Sequence, residues 1–155
     1  MRGYSAIGLH RIKNTDNLGG VLRAAHCYGA SMVAVAGDRT QGKLIRCATN
    51  TTKAERHIPI LRGDDLKQMI PFGAVPVAVD LVEGAMPLHR FEHPESAFYV
   101  FGPEDGTLGA ATLEWCPLRV MIPTAFCMNL AATVNVVLYD RQAKALSRQI
   151  GRVAA

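Results

Sequence analysis

Arg23, Glu104 and the run Asn14-Thr15-Asp16-Asn17 are the first places where residue type and position point to chemistry. At roughly 100° per helical residue, Arg23 lies well off the apolar stripe formed by Leu18, Val21, Leu22 and Ala25. By pattern alone such a cation reads first as a solvated surface arginine, and otherwise as a group for an anionic partner. Glu104 follows Gly102-Pro103 at the end of an apolar run, where it can act on a ligand or cap a helix beginning near Leu108. Asn14 to Asn17 carry side chains that hydrogen-bond nearby backbone, the ordinary chemistry of a turn. His10, His26, His57, His89 and His93 form no catalytic pattern and read as structural or surface residues. Cys27, Cys47, Cys116 and Cys127 include no C-x-x-C pair and no zinc spacing, so no metal is expected. Scattered thiols of this kind read as reduced core residues.

The elements that must position these residues alternate. Tyr4–Leu9, Met32–Ala36, Val75–Asp80, Ala97–Gly102 and Leu118–Ile122 are short and apolar on both parities, as strands covered on both faces should be. Helical spacing lies between them. Asn17 is placed to cap a helix that Gly29 ends, and Asp64-Asp65 opens another carrying Leu66, Met69 and Ile70, with Pro71 as its stop. From Asn129 onward, Leu130, Val134, Val137, Leu138 and Ala145 predict the longest helix. Alternating strand and helix gives an α/β protein with a mostly parallel sheet and helices on its faces. Ligands of such sheets collect where the loops leave the strands. Three of those loops stand out: Val77–Leu81, which ends on an acid; Phe101–Gly106, with glycine, proline and two acids; and Ile122–Cys127, which feeds the long helix. Glycine permits close backbone approach to a ligand, and proline stiffens the loop around it.

Length and composition bound the rest. A chain of 155 residues, 49% hydrophobic and 19% charged, has room for one domain over 1–155 and excludes extended disorder. Its apolar runs are too short to cross a bilayer and Met1–His10 lacks an apolar centre, so a cytoplasmic protein without a membrane partner is expected. The net charge of +4 conceals segregation. Residues 1–62 hold ten Lys/Arg against three acids (+7), and 63–140 hold three against ten (−7). The tail 141–155 adds Arg141, Lys144, Arg148 and Arg152 with no acid. Basic ends on an acidic middle suit a face that meets a polyanion, or ordinary solvated faces.

Three segments gain meaning together: Asn17-Leu18-Gly19-Gly20-Val21-Leu22-Arg23-Ala24-Ala25, then Phe101-Gly102-Pro103-Glu104, then Ile122-Pro123 followed by Met128-Asn129-Leu130-Ala131. In that order they resemble the three motifs of the SpoU/TrmH-type RNA 2′-O-ribose methyltransferases, of the SPOUT superfamily with a trefoil-knotted α/β fold. The likeness covers roughly residues 4–147. It implies a C-terminal knot shaping a site for S-adenosylmethionine, with Val79, Gly102, Ile122, Cys127 and Met128 around the cofactor. It places the motif-one arginine on Arg23, acting at the target 2′-hydroxyl as base, alkoxide stabiliser or phosphate ligand. Asn17 and Glu104 match the polar residues that position it, and Asn129 matches the motif-three asparagine.

A homodimer is implied as well, with Arg23 able to reach the other subunit's site. Arg141, Lys144 and Arg148, at helical spacing, become an expected RNA-binding ridge, with Tyr139 nearby. Small members of this build resemble tRNA methyltransferases of the anticodon-loop wobble ribose, so tRNA is the expected substrate and ribosomal RNA the alternative. Two departures stand in this chain. Cys127 occupies the usual serine position, and a thiol is the weaker hydrogen-bond donor, which suggests looser cofactor binding. Thr107 replaces a motif-two glycine, with Gly106 one position earlier. A non-catalytic RNA-binding dimer is the rival reading. A Rossmann-type enzyme fits less well, because Asn17-Leu18-Gly19-Gly20 lacks the G-x-G-x-x-G spacing.

Overall fold

The computed structural model describes residues 3–40 and 56–153, with side chains described as far as Gly151. Seven strands form one sheet: β1 (Tyr4–His10), β2 (Met32–Ala36), β3 (Ile60–Gly63), β4 (Val75–Val79), β5 (Met86–Pro87), β6 (Ser96–Phe101) and β7 (Leu118–Met121). Their spatial order is β3-β2-β1-β6-β4-β7-β5, and every pairing is parallel. Helices α1 (Thr15–Cys27), α2 (Ala110–Glu114) and α3 (Leu130–Val153) connect or follow the strands.

Side-chain alternation divides the core into two layers. Ile7, Leu9, Val33, Val35, Val77, Val79, Tyr99 and Phe101 face α1 and α3. Ala6, Ala34, Ala36, Ala78, Phe98 and Val100 face Leu66, Leu108 and Cys116, with Leu113 and Trp115 of the α2 segment packed alongside. Four of these strand positions in the second layer are alanines, and Phe98 is the aromatic ring among them. At Gly8 a Cβ would come within 2.6 Å of the Phe98 ring, so glycine there lets that ring lie on the sheet.

The five strands expected from apolar runs all form. The edge strands β3 and β5 leave no such signal in the sequence: β3 is largely exposed and β5 is two residues long, so neither carries a two-sided apolar run. Three expected helix features are corrected. Asn14, not Asn17, caps α1: its backbone is extended and its Oδ1 accepts the Asp16 amide at 2.7 Å, leaving Asn17 inside the first turn. Asp65 does cap a helical segment, but only a 3₁₀ turn over Leu66–Met69, because Ile70 before Pro71 is extended. Glu104 caps nothing, since α2 begins at Ala110 with Gly109 at the cap. Gly29, at φ +65°, does end α1, and the helix after Asn129 is the longest.

Helices α1 and α3 approach closely at one point. A Cβ on Gly20 would lie 2.6 Å from the Ala131 Cβ, which cannot swing aside. Gly20→Val should therefore cost about 1–3 kcal/mol of stability through overpacking, read from urea unfolding. Unchanged stability would show that the two helices are free to separate.

Candidate active site

The chain leaves β1 and β7 toward the face bearing α1 and α3, but leaves β6 toward the opposite face bearing α2. Loops that diverge at a sheet's carboxyl edge open a crevice between them. A cleft of about 340 Å³ lies there, bounded by the ends of β4, β6 and β7. Val79, Gly102, Ile122, Cys127 and Met128 all line it, together with Asn17, Glu104 and Asn129. The three unusual loops of the sequence thus meet around a single cavity.

Hydrogen bonds between the loops give the cleft its shape. Asp80, at the end of β4, accepts the Leu81 amide at 2.7 Å and the Leu108 amide at 2.6 Å. The second bond ties the loop after β6 down beside β4. Asp80 lines the cleft and was legible in sequence only as an acid at a strand end; its partner lies 28 residues away.

The opposite wall is a chain of polar groups. Asn129 caps α3, its Oδ1 accepting the Ala131 amide at 2.9 Å. That fixes the amide's orientation, so Nδ2 faces Asn17 and donates to its Oδ1 at 2.6 Å. With its oxygen occupied, Asn17 donates from Nδ2 to Glu104 Oε1 at 2.9 Å. Glu104 also accepts the Asn14 amide at 3.1 Å and the Lys13 amide at 2.9 Å. Partial burial opposes the Glu104 charge, but the bonds from Asn17, from its own amide and from Lys13 and Asn14 prevail. Its carboxyl is held below the ordinary glutamate value.

Beside this chain the rim carries a second clamp. Arg39 grips Asp105 with two bonds, 2.6 and 3.1 Å, and donates from Nε to the Arg11 carbonyl at 2.9 Å. The Arg39 hydrogen bonds, chiefly, hold the exposed Asp105 carboxyl down at about 2. Arg11 itself is the one non-glycine residue with positive φ, +55°, among those described, and it turns the chain from β1 toward Lys13.

Other sequence candidates fall elsewhere. Arg23 is exposed on α1 and does not line the cleft of its own chain. The expected RNA ridge on α3 is corrected at two of three positions. Arg141 is only 8% exposed and points inward. It donates to the carbonyls of Pro94, Glu95 and Tyr4 and to the Tyr99 hydroxyl, because strand starts buried against α3 need donors for those oxygens. Lys144 donates to the carbonyls of Leu88 and Phe91 and pairs with Asp140 at 2.6 Å, so its ammonium is also spent within the chain. Arg148 stays half-exposed, 3.6 Å from Glu92. His93 is structural, as expected, bonded to Tyr99 and Asp140. Of the cysteines only Cys116 is buried among those described; Cys27 and Cys127 are exposed, and Cys47 lies outside the described residues.

An all-parallel sheet with a ligand-sized cleft at a switch of its connections defines an α/β domain built to hold a small molecule. A model of the SpoU rRNA Methylase family matches residues 5–139, and the chain belongs to that family. The 23S rRNA (guanosine-2'-O-)-methyltransferase RlmB of Neisseria meningitidis serogroup B is 26% identical over 139 residues, 85% of this chain and 55% of that protein. The chain thus spans about half the length of the curated relative it matches. An AdoMet-bound rRNA methyltransferase from Sinorhizobium meliloti superposes with a TM-score of 0.81 at 22% identity, over 93% of this chain and 57% of that one. A structure described as giving insights into the 2-OH methylation of C/U34 on tRNA superposes at 0.75 and 21% identity, over 93% and 92%.

The Glu104 anchor has a pH signature. A carboxyl lowered by folding stabilises the folded state above its unfolded value and loses that contribution as pH falls through the folded value. Thermal melts of the parent and of Glu104→Gln should therefore differ most near neutral pH and converge as pH drops below about 4. A gap that persists or widens in acid would contradict the assignment.

Proposed function

We propose that this protein transfers the methyl group of S-adenosylmethionine to a ribose 2′-hydroxyl of RNA, with tRNA as the substrate, as a cytoplasmic homodimer. The carrying observation is the convergence of Asn17, Glu104 and Asn129, one from each motif, into one hydrogen-bonded wall of a ligand-sized cleft.

The residues present fit S-adenosylmethionine. Val79, Ile122 and Met128 offer apolar cover for a ring, while the loops at Gly102 and Cys127 offer backbone groups to its edge. At Gly102 a Cβ would sit 3.3 Å from the Leu108 amide nitrogen and 3.5 Å from Asp80 Oδ2, so a side chain there would crowd the cradle. When bound, S-adenosylmethionine supplies a methyl already activated by its sulfonium. The protein's task is to align the ribose oxygen with it and ease loss of the hydroxyl proton.

Glu104 is poorly suited to take that proton, being held low and already occupied by Lys13, Asn14 and Asn17. It serves as the anchor that fixes Asn17 and the start of α1. Asn129 sets the start of α3 against them. Arg23 supplies its guanidinium to the cleft of the second subunit, where a permanent cation stabilises a developing alkoxide or holds the adjacent phosphate. Its exposure, away from its own cleft, supports that assignment. Tyr139, Leu146 and Ile150, 61%, 50% and 71% exposed along one side of α3, supply an apolar surface for subunit pairing. The C-terminal trefoil knot belongs to this reading through the family motifs. No helix among the described residues is long and apolar enough to cross a membrane.

The tRNA assignment is supported by the near end-to-end match to the structure described for C/U34 methylation on tRNA. The name of the Neisseria relative supports ribosomal RNA instead, so both enter the test. The protein is incubated with methyl-labelled S-adenosylmethionine and, in parallel reactions, undermodified total tRNA or undermodified ribosomal RNA, and each RNA is digested to nucleosides. A labelled 2′-O-methylnucleoside is expected. Label only in ribosomal RNA would move the substrate; label in neither would overturn the activity. Arg23→Ala should slow transfer by about 10²–10³-fold with cofactor affinity retained, as measured by calorimetry. Loss of cofactor binding in that variant would contradict its role.

A further inference from the structure

With Arg141 and Lys144 turned inward, the phosphates of an RNA must meet other cations. The acid-free stretches of the chain show where. Residues 17–37 and 56–63 contain no Asp or Glu, and together they carry Arg23, His26, Arg56, His57 and Arg62. All five are exposed, Arg62 on the edge strand β3 and the other four on α1 or just before β3. None of those four makes an ion pair or a side-chain hydrogen bond among the described residues, unlike Lys13, Arg39 and Arg148, each of which faces a carboxylate.

The two stretches are joined by a ring contact. His26 in the last turn of α1 stacks on His57, with centroids 4.8 Å apart and planes 8° from parallel. Arg23 lies one helical turn before His26, and Arg56 precedes His57 in the chain. Arg23 and His26 on the exposed side of α1 are thus joined through the stacked rings to His57, with the exposed Arg56 next to it in the chain, and the four make one acid-free basic strip. Each imidazole presents a ring N–H that can donate to an anionic oxygen, and each guanidinium presents several donors.

We propose that this strip binds phosphates of the RNA strand on either side of the target nucleotide. The inference rests on the methyltransferase reading, because that reading sets Arg23 at the target ribose and so places the strip where the flanking strand runs. Arg56, His26 and His57 are then phosphate ligands that determine how the RNA is held, and they act on no reacting atom.

The test is binding of unfractionated, undermodified tRNA across a series of salt concentrations, for the full chain and its variants. Arg56→Ala should weaken binding for all tRNAs alike and lower the slope of log affinity against log salt by about 1. Arg56→Lys, which keeps the charge, should restore the slope. Affinity for S-adenosylhomocysteine and the thermal melt should be unchanged in both, which separates lost contact from lost fold. Arg90→Ala, removing an exposed cation outside the strip, should leave the slope at the parent value. In turnover, Arg56→Ala should raise KM for RNA with little change in kcat. If the parent binds tRNA and both Arg56→Ala and His57→Ala keep its slope, the strip is overturned and the activity is untouched. If the parent binds neither tRNA nor ribosomal RNA, the methyltransferase reading falls and the strip with it.

Discussion

The site depends on one run of hydrogen bonds, from Asn129 through Asn17 to Glu104. Its direction is forced from one end. Because the Asn129 oxygen must serve the amides at the start of α3, its nitrogen can only donate, and each following group takes the complementary role. The run ends on a carboxylate that also collects the Lys13 and Asn14 amides. Segments separated by 112 residues in sequence are thereby held in one register. Without the middle residue, the start of α3 would lose its hydrogen-bonded tie to α1 and, through it, to Glu104 in the loop after β6.

Packing beneath makes that run possible. Gly20 and Ala131 let α1 and α3 touch through backbone and a single methyl group, three residues after Asn17 and two after Asn129. A larger residue at either position would separate the two asparagines. The sheet contributes in the same way from below, since β6 alone of β1, β6 and β7 sends its chain to the other face and leaves the crevice open above it. Fold and site are thus set by the same few close approaches.

Much of this was legible in the residues. Two-sided apolar runs marked the five long strands, and the helix-spaced residues after Leu130 marked α3, because burial on both faces or along one stripe leaves a pattern in the chain. The family resemblance carried by the three motifs named the cofactor candidates, and all five line the one cleft. What was not legible depended on partners distant in sequence. The spacing of Arg141 and Lys144 reads as a solvated ridge, and only the tertiary structure shows carbonyls of Glu95 and Leu88 waiting for them. Glu104 reads as a helix cap until its true donors, 90 and 91 residues away, come into view. Asn14 and Asn17 are chemically alike and three residues apart; which one caps α1 is decided by the competing demand for Asn17 from Glu104 and Asn129.

The most direct test of this account is a double-mutant cycle on the central bond, using Asn17→Ala, Asn129→Ala and the pair, with S-adenosylmethionine affinity measured by calorimetry. If the three loops form one unit through Asn17, the two substitutions will be strongly non-additive, with a coupling of about 0.5–3 kcal/mol. Additive effects would show that each loop binds its own part of the ligand independently, and would contradict the claim that this hydrogen-bond run organises the site.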